Sequence, residues 1–170
     1  RRRSGRRLVG NCLLDIQNLT TELDSDHGLV RAVDALSLTI ERGETFALVG
    51  ESGCGKSMTA LSLMRLLPDA LQITSGAVIV DGQDLFELPE SRMQSVRGRR
   101  VAMIFQNAMS ALNPVQSAGE QVAETLRLHT PLAGDALRQR VLQLFAEVGI
   151  RDAQQRYSFY PHQLSGGQQQ

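Results

Sequence analysis

"GESGCGKS", Gly50–Ser57, holds the only lysine among the eighteen basic residues of this chain. The run fits G-x-x-x-x-G-K-[ST], and its flanks supply the context that pattern needs. Upstream, "TFALVG" (Thr45–Gly50) is a short continuous apolar stretch, the kind that forms a strand buried on both faces. Downstream, "SMTALSLMRLL" (Ser57–Leu67) carries apolar residues at helical spacing and stops at Pro68. Strand, glycine-rich curl and helix in that order bind anions for a physical reason. Gly50, Gly53 and Gly55 let successive amides turn inward, and the helix aims an N-terminus of about half a positive charge at the same point. A lysine there is a compact point charge that fits a tight phosphate cradle, where arginine is a broad fork. A lone lysine gains these neighbours by chance on the order of once in a thousand.

The rest of the chain bounds what surrounds that loop. With 170 residues, 42% of them hydrophobic and 21% charged, it is long enough for one domain with a real core. No stretch approaches the roughly 20 consecutive apolar residues of a membrane-spanning helix. Any work at a membrane is therefore expected from its surface. Net charge is zero, yet five basic residues fall in the first seven, "RRRSGRR". Residues 1–12 are expected to be a basic tail, and the run lacks the apolar stretch of a secretion signal. The remainder is mildly acidic, which argues against a nucleic-acid groove. Cys12 and Cys54 match no metal-ligand spacing and no disulfide framework, so a reducing cytosol is the natural setting.

Leu13–Leu19 and the alternating "RAVDALSLTI" (Arg31–Ile40) are expected to be strands. "ERGE" (Glu41–Glu44) is expected to be a turn, and "SGAVIVDGQDL" (Ser75–Leu85) a strand closed by Asp-Gly. "RRVAMIFQ" (Arg99–Gln106) has the texture of a further buried strand. Ser117–His129 and Gly134–Val148 carry apolar positions at helical spacing, so a helical subdomain follows the strand-rich half.

The loop alone does not choose among nucleotide-binding classes. "LSGGQ" (Leu164–Gln168), behind the helical stretch, resembles the signature of ATP-binding cassette (ABC) ATPases. "IFQNAMSALNP" (Ile104–Pro114) resembles their Q-loop, and "YPHQLSGGQQQ" their signature entry. Over about residues 13–170, the chain looks most like the ATP-binding subunits of oligopeptide, dipeptide and nickel importers. The resemblance implies an α/β P-loop NTPase fold of the ABC ATPase type, with an antiparallel β subdomain and an α-helical subdomain. Residues 13–113 would form the β subdomain and P-loop core, and 114–170 the helical subdomain and signature. It implies ATP and Mg2+ as ligands. Gly50, Glu51, Ser52, Gly53, Cys54, Gly55, Lys56, Ser57 and Met58 would hold the nucleotide, with Val30 packing on the base. Ser57 and Gln106 would serve Mg2+, and Lys56 and Gln106 would act in catalysis. Leu164, Ser165, Gly166, Gly167 and Gln168 would face the ATP of a second ABC subunit. Ser165 suits a helix cap, and two glycines permit close backbone approach.

The resemblance further implies transmembrane permease partners, a peripheral place on the cytoplasmic face of the cell membrane, and ATP hydrolysis that powers import of peptides or nickel. A soluble non-transport ABC ATPase and a catalytically incomplete nucleotide-binding fragment are the competing readings. Two departures bear on this. Where the family places an adenine-stacking aromatic, "DSDHGLVRAVD" (Asp24–Asp34) offers only His27, Leu29 and Val30. The family's Asp-Glu strand (Walker B) and switch histidine have no counterpart up to Gln170, and His162 precedes the signature. The chain is therefore expected to be incomplete at its C-terminus, with little or no ATP turnover by itself.

Overall fold

The computed structural model describes residues 11–25, 28–105 and 111–170. The basic run at the start, His27 and Gln106 lie outside the described residues. The chain divides between Gln94 and Ser95 into two compact units.

The first unit is built on an antiparallel sheet of four strands, β1 (Cys12–Ser25), β2 (Gly28–Glu41), β3 (Leu71–Val80) and β4 (Gln83–Asp84), in the order β2-β1-β3-β4. Asp15 faces Thr39 on one side and Ile79 on the other. The β1–β2 register shifts between Ile16 and Leu19, beside Asn18 (φ 48), and Ala35 (φ 47) bends the partner strand. Such a bulge frees backbone amides that need new partners. Hydroxyl groups supply them: Asn18 N donates to Ser37 Oγ at 2.8 Å, and Ala35 N to Thr20 Oγ1 at 3.2 Å. The expected Asp-Gly turn is present, with positive φ at both Asp81 and Gly82, as a tight primed hairpin requires.

Helix α1 (Lys56–Met64) packs against β1 and β2 and buries Thr59, Ser62 and Met64. It ends three residues short of the expected Leu67, because Arg65 turns left-handed (φ 51). The Arg65 guanidinium donates to the carbonyls of Leu85 and Leu88, at 3.3 and 2.6 Å, and this holds the turn.

Helix α2 (Glu90–Val96), which no periodicity announced, carries the chain into the second unit. There α3 (Ala118–His129), α4 (Gly134–Glu147), α5 (Ala153–Tyr157), a 3-10 turn (Pro161–Gln163) and α6 (Gly166–Gln169) follow. Ala118, Ala123, Leu137, Val141, Phe145, Tyr157 and Leu164 form its buried core.

Two expectations need correction. Neither Thr45–Gly50 nor Arg99–Gln106 is a strand among the described residues; the second contributes only an isolated bridge, Arg97 to Val101. Val49 is 89% exposed and Ile104 90%. A strand exists only with a hydrogen-bonded ladder along its length, and beyond that single bridge no described strand runs beside either stretch. Among the described residues no helix is long and apolar enough to cross a membrane.

Candidate functional site

From Glu44 to Gly55 the chain runs without a helix or strand and then enters α1 at Lys56. The Lys56 side chain folds back over the loop. Its Nζ donates to the carbonyls of Gly50 (2.8 Å) and Glu51 (2.6 Å), and to Cys54 Sγ at 3.3 Å. An ammonium has three N–H donors, and thiol sulfur is a weak acceptor. Two donors are thus well used, and the third rests on the partner most easily replaced by a stronger one.

Gly55 shows why the loop needs glycine. Its φ is 91, and a Cβ there would lie 2.3 Å from the carbonyl oxygen of Ala32 on β2. A side chain would be strained by the backbone and would strike the strand. Gly53 also has positive φ (84), and a Cβ on Gly50 would sit 2.5 Å from Cys54 Sγ. Gly55 caps α1 with no side-chain hydrogen bond. The first amides of this nine-residue helix therefore lack a side-chain cap, at the electropositive end of the helix. Glu51, Ser52, Cys54 and Ser57 are exposed, while Lys56 and Met58 are half-buried. This donor set fits a phosphate chain: uncapped amides, one amine, and a hydroxyl at the helix start.

Val30 lies on β2, opposite Leu23, and is half exposed. It precedes by two residues the Ala32 carbonyl that touches Gly55, so strand periodicity puts Val30 and Ala32 on one face. The approach of β2 to the loop carries no sequence signal, being a contact between residues far apart in the chain. Gln106, the other expected metal ligand, lies outside the described residues.

The second candidate element sits in the helical unit. Leu164 is buried in its core and Ser165 caps α6. Gln168 N donates to Ser165 Oγ (3.4 Å), and Ser165 N to Gln168 Oε1 (3.0 Å), a reciprocal capping box. Gln169 Nε2 ties the turn down through the carbonyls of Pro161 (2.7 Å) and Leu164 (3.1 Å). Around Gly166 and Gly167 an added Cβ would meet none of the described residues within 4 Å. Packing among the described residues does not call for glycine at either position. What two adjacent glycines leave is bare backbone, open to something approaching from outside.

Comparison with known proteins gives these arrangements a setting. The ABC transporter family matches residues 33–170. The dipeptide transport ATP-binding protein DppD of Bacillus subtilis is 43% identical over 159 residues, 93% of this chain and 48% of that protein. The peptidoglycan transport ATP-binding protein YejF of Agrobacterium fabrum is 44% identical over 159 residues, covering 93% and 29% respectively. A dimeric ATP-binding cassette solved in a post-hydrolysis state with ADP and Pi superposes with a TM-score of 0.79 at 25% identity, over 92% of this chain and 65% of that one. The chain spans about half the length of the dipeptide-transport relative, and less of the peptidoglycan one.

Proposed function

The chain belongs to the ABC transporter family, and from that membership we propose that it binds MgATP in the loop Gly50–Met58 as part of a transporter that imports peptides. The observation that carries this is the Lys56 amine, held over the loop by two carbonyls with its third donor on a thiol. Phosphate oxygens are far stronger acceptors than that sulfur. The amine reaches them by exchanging one weak bond and keeping the two that place it. The uncapped amides of α1 and the curl through Gly53 and Gly55 supply further donors. Ser57, exposed at the helix start, would hold Mg2+ through its hydroxyl, and Gln106 would be the second protein ligand. Mg2+ when bound supplies charge neutralisation between the phosphates. Val30 packs on the base as a small aliphatic surface.

Ser165–Gln168 serve the other side of the reaction. The capping box fixes Ser165, and the bare backbone of Gly166 and Gly167 lets the turn close on the ATP held by a second ABC subunit. In the assembled protein, hydrolysis then drives import, with permease subunits in the membrane and this chain at its cytoplasmic face. Peptide rather than nickel cargo is favoured by relatives bearing dipeptide and peptidoglycan transport names.

The test is nucleotide affinity with Mg2+ present, measured on this chain by calorimetry or a fluorescent analogue. Lys56→Ala is expected to weaken binding at least about tenfold, the loss of one charge-assisted contact. Equal affinity in the two forms overturns the reading.

A further inference from the structure

Helix α5 has only five residues, far too few to hold a helical shape unaided. Its N-cap, Asp152, is left-handed (φ 54) and makes no side-chain cap. What places the helix is its last residue, Tyr157, buried between two longer helices. The ring lies so close to α3 that a Cβ on Gly119 would come within 2.3 Å of it. Above the ring, the Arg138 guanidinium of α4 stands 4.2 Å from the centroid. The phenol donates to Glu120 Oε1 at 2.8 Å, and Glu120 Oε2 accepts from Arg127 at 2.9 Å. Two residues on, the Phe159 carbonyl accepts the Ala118 amide at 2.8 Å. The chain then makes its 3-10 turn, buries Leu164 and presents Ser165.

We propose that Tyr157, fixed by its hydrogen bond to Glu120, is a positioning residue for Ser165–Gln168. It registers the linker from Ser158 to Leu164 against the start of α3, and so sets where the diglycine backbone stands. This rests on the reading of that segment as the face turned toward a second subunit's ATP. The ring alone would make Tyr157 a piece of core. The hydroxyl makes it directional, because a charge-assisted bond to one carboxylate oxygen fixes the end of α5 along α3 as well as against it.

Hydrogen exchange on this chain tests the positioning without any nucleotide. The amides to follow are Gln163, Leu164, Gln168 and Gln169, each bonded within the linker or the signature turn. Tyr157→Phe keeps the ring and removes the donor. It is expected to raise their exchange roughly tenfold, the loss of one charge-assisted bond, while the Val141 and Phe145 amides of α4 keep their rates. Glu120→Gln, which retains an acceptor, should stay nearer the native rates than Glu120→Ala. Native exchange in Tyr157→Phe overturns the proposal, and so does an equal rise across α4, which would make the tyrosine ordinary core. A second readout is ATP turnover by the assembled transporter, where Tyr157→Phe is expected to lower kcat and leave the KM for ATP unchanged. An unchanged kcat despite looser amides also overturns it. Ser165→Ala with unchanged turnover would instead sink the underlying reading of the signature, and exchange in Tyr157→Phe would still report on the linker.

Discussion

The Glu120 carboxylate and the Tyr157 phenol perturb each other in opposite senses. The Arg127 hydrogen bond, and then that of Tyr157, hold the Glu120 carboxyl below its ordinary range. Burial, and then the bond to Glu120, push the Tyr157 phenol above its own. A carboxyl whose folded value is depressed contributes stability that is complete above its unfolded value and disappears as pH falls through the folded one. A phenol whose folded value is raised contributes stability that is complete below its unfolded value and disappears as pH rises through the folded one. The pair therefore supports the helical unit across a plateau between the ordinary glutamate and tyrosine ranges, with a loss on each side. Glu120→Gln should flatten the acid limb and Tyr157→Phe the alkaline one. The Glu120 side chain is 43% exposed, so solvent screens the pairing and the acid effect should stay below about 1 kcal/mol. Urea unfolding over a pH series checks this; variant and native curves that run parallel on both limbs contradict it.

At the scale of elements, the attachment of α1 to the sheet turns on two buried hydroxyls. Ser62 Oγ donates to the Met58 carbonyl at 2.7 Å and so has no hydrogen left for Thr21, whose Oγ1 lies 2.8 Å away. Thr21 must be the donor in that bond. Ser62→Ala then strands a buried O–H on β1 and is expected to cost about 1–3 kcal/mol. Thr21→Val removes the donor while Ser62 keeps its carbonyl, and should cost less. The double variant should fall short of the summed losses by at least about 0.5 kcal/mol, as coupled neighbours do. Additive losses in urea unfolding would show that the two hydroxyls do not act as a pair. The same helix shows how far local signals carry. Its start was legible from the glycine-lysine run, but its end was not, because Pro68 marks a stop that Arg65 reaches first through long-range bonds to Leu85 and Leu88. Helices α3 and α4 were legible almost to the residue, since an apolar stripe and, at Ser117, a cap are local properties. Helices α2 and α5 were not, being too short to show a period. For the candidate site, the loop and the Ser165 cap stood in the sequence. The approach of Ala32 to Gly55, and of Tyr157 to Gly119, did not, because nothing local encodes which distant residue will touch a glycine.

The two apolar stretches that did not become strands matter for the molecule as a whole. Thr45–Gly50 and Arg99–Gln106 have the composition of strands buried on both faces, but composition specifies only what a segment will tolerate, and pairing is decided elsewhere. Outside any strand among the described residues, Phe46, Leu48 and Val49 in the first unit, and Ile104 and Phe105 in the second, stand at the surface. The helical unit adds an open groove of about 680 Å3, lined in part by Val122, Leu126, Leu144, Val148 and Leu164. Exposed apolar side chains in each unit invite association. This chain at micromolar concentration is therefore expected to bind a hydrophobic dye while folded, and to grow in apparent mass with concentration. Val49→Thr and Ile104→Thr together should lower both signals. Neither residue is buried, so the unfolding free energy should change by less than about 0.5 kcal/mol for each substitution. Dye binding is the deciding quantity, because it reports the folded surface before any aggregate forms. A double variant that binds as much dye as the native chain would place the apolar surface in the groove of the helical unit, and a native chain that binds none would mean that both stretches are covered in solution.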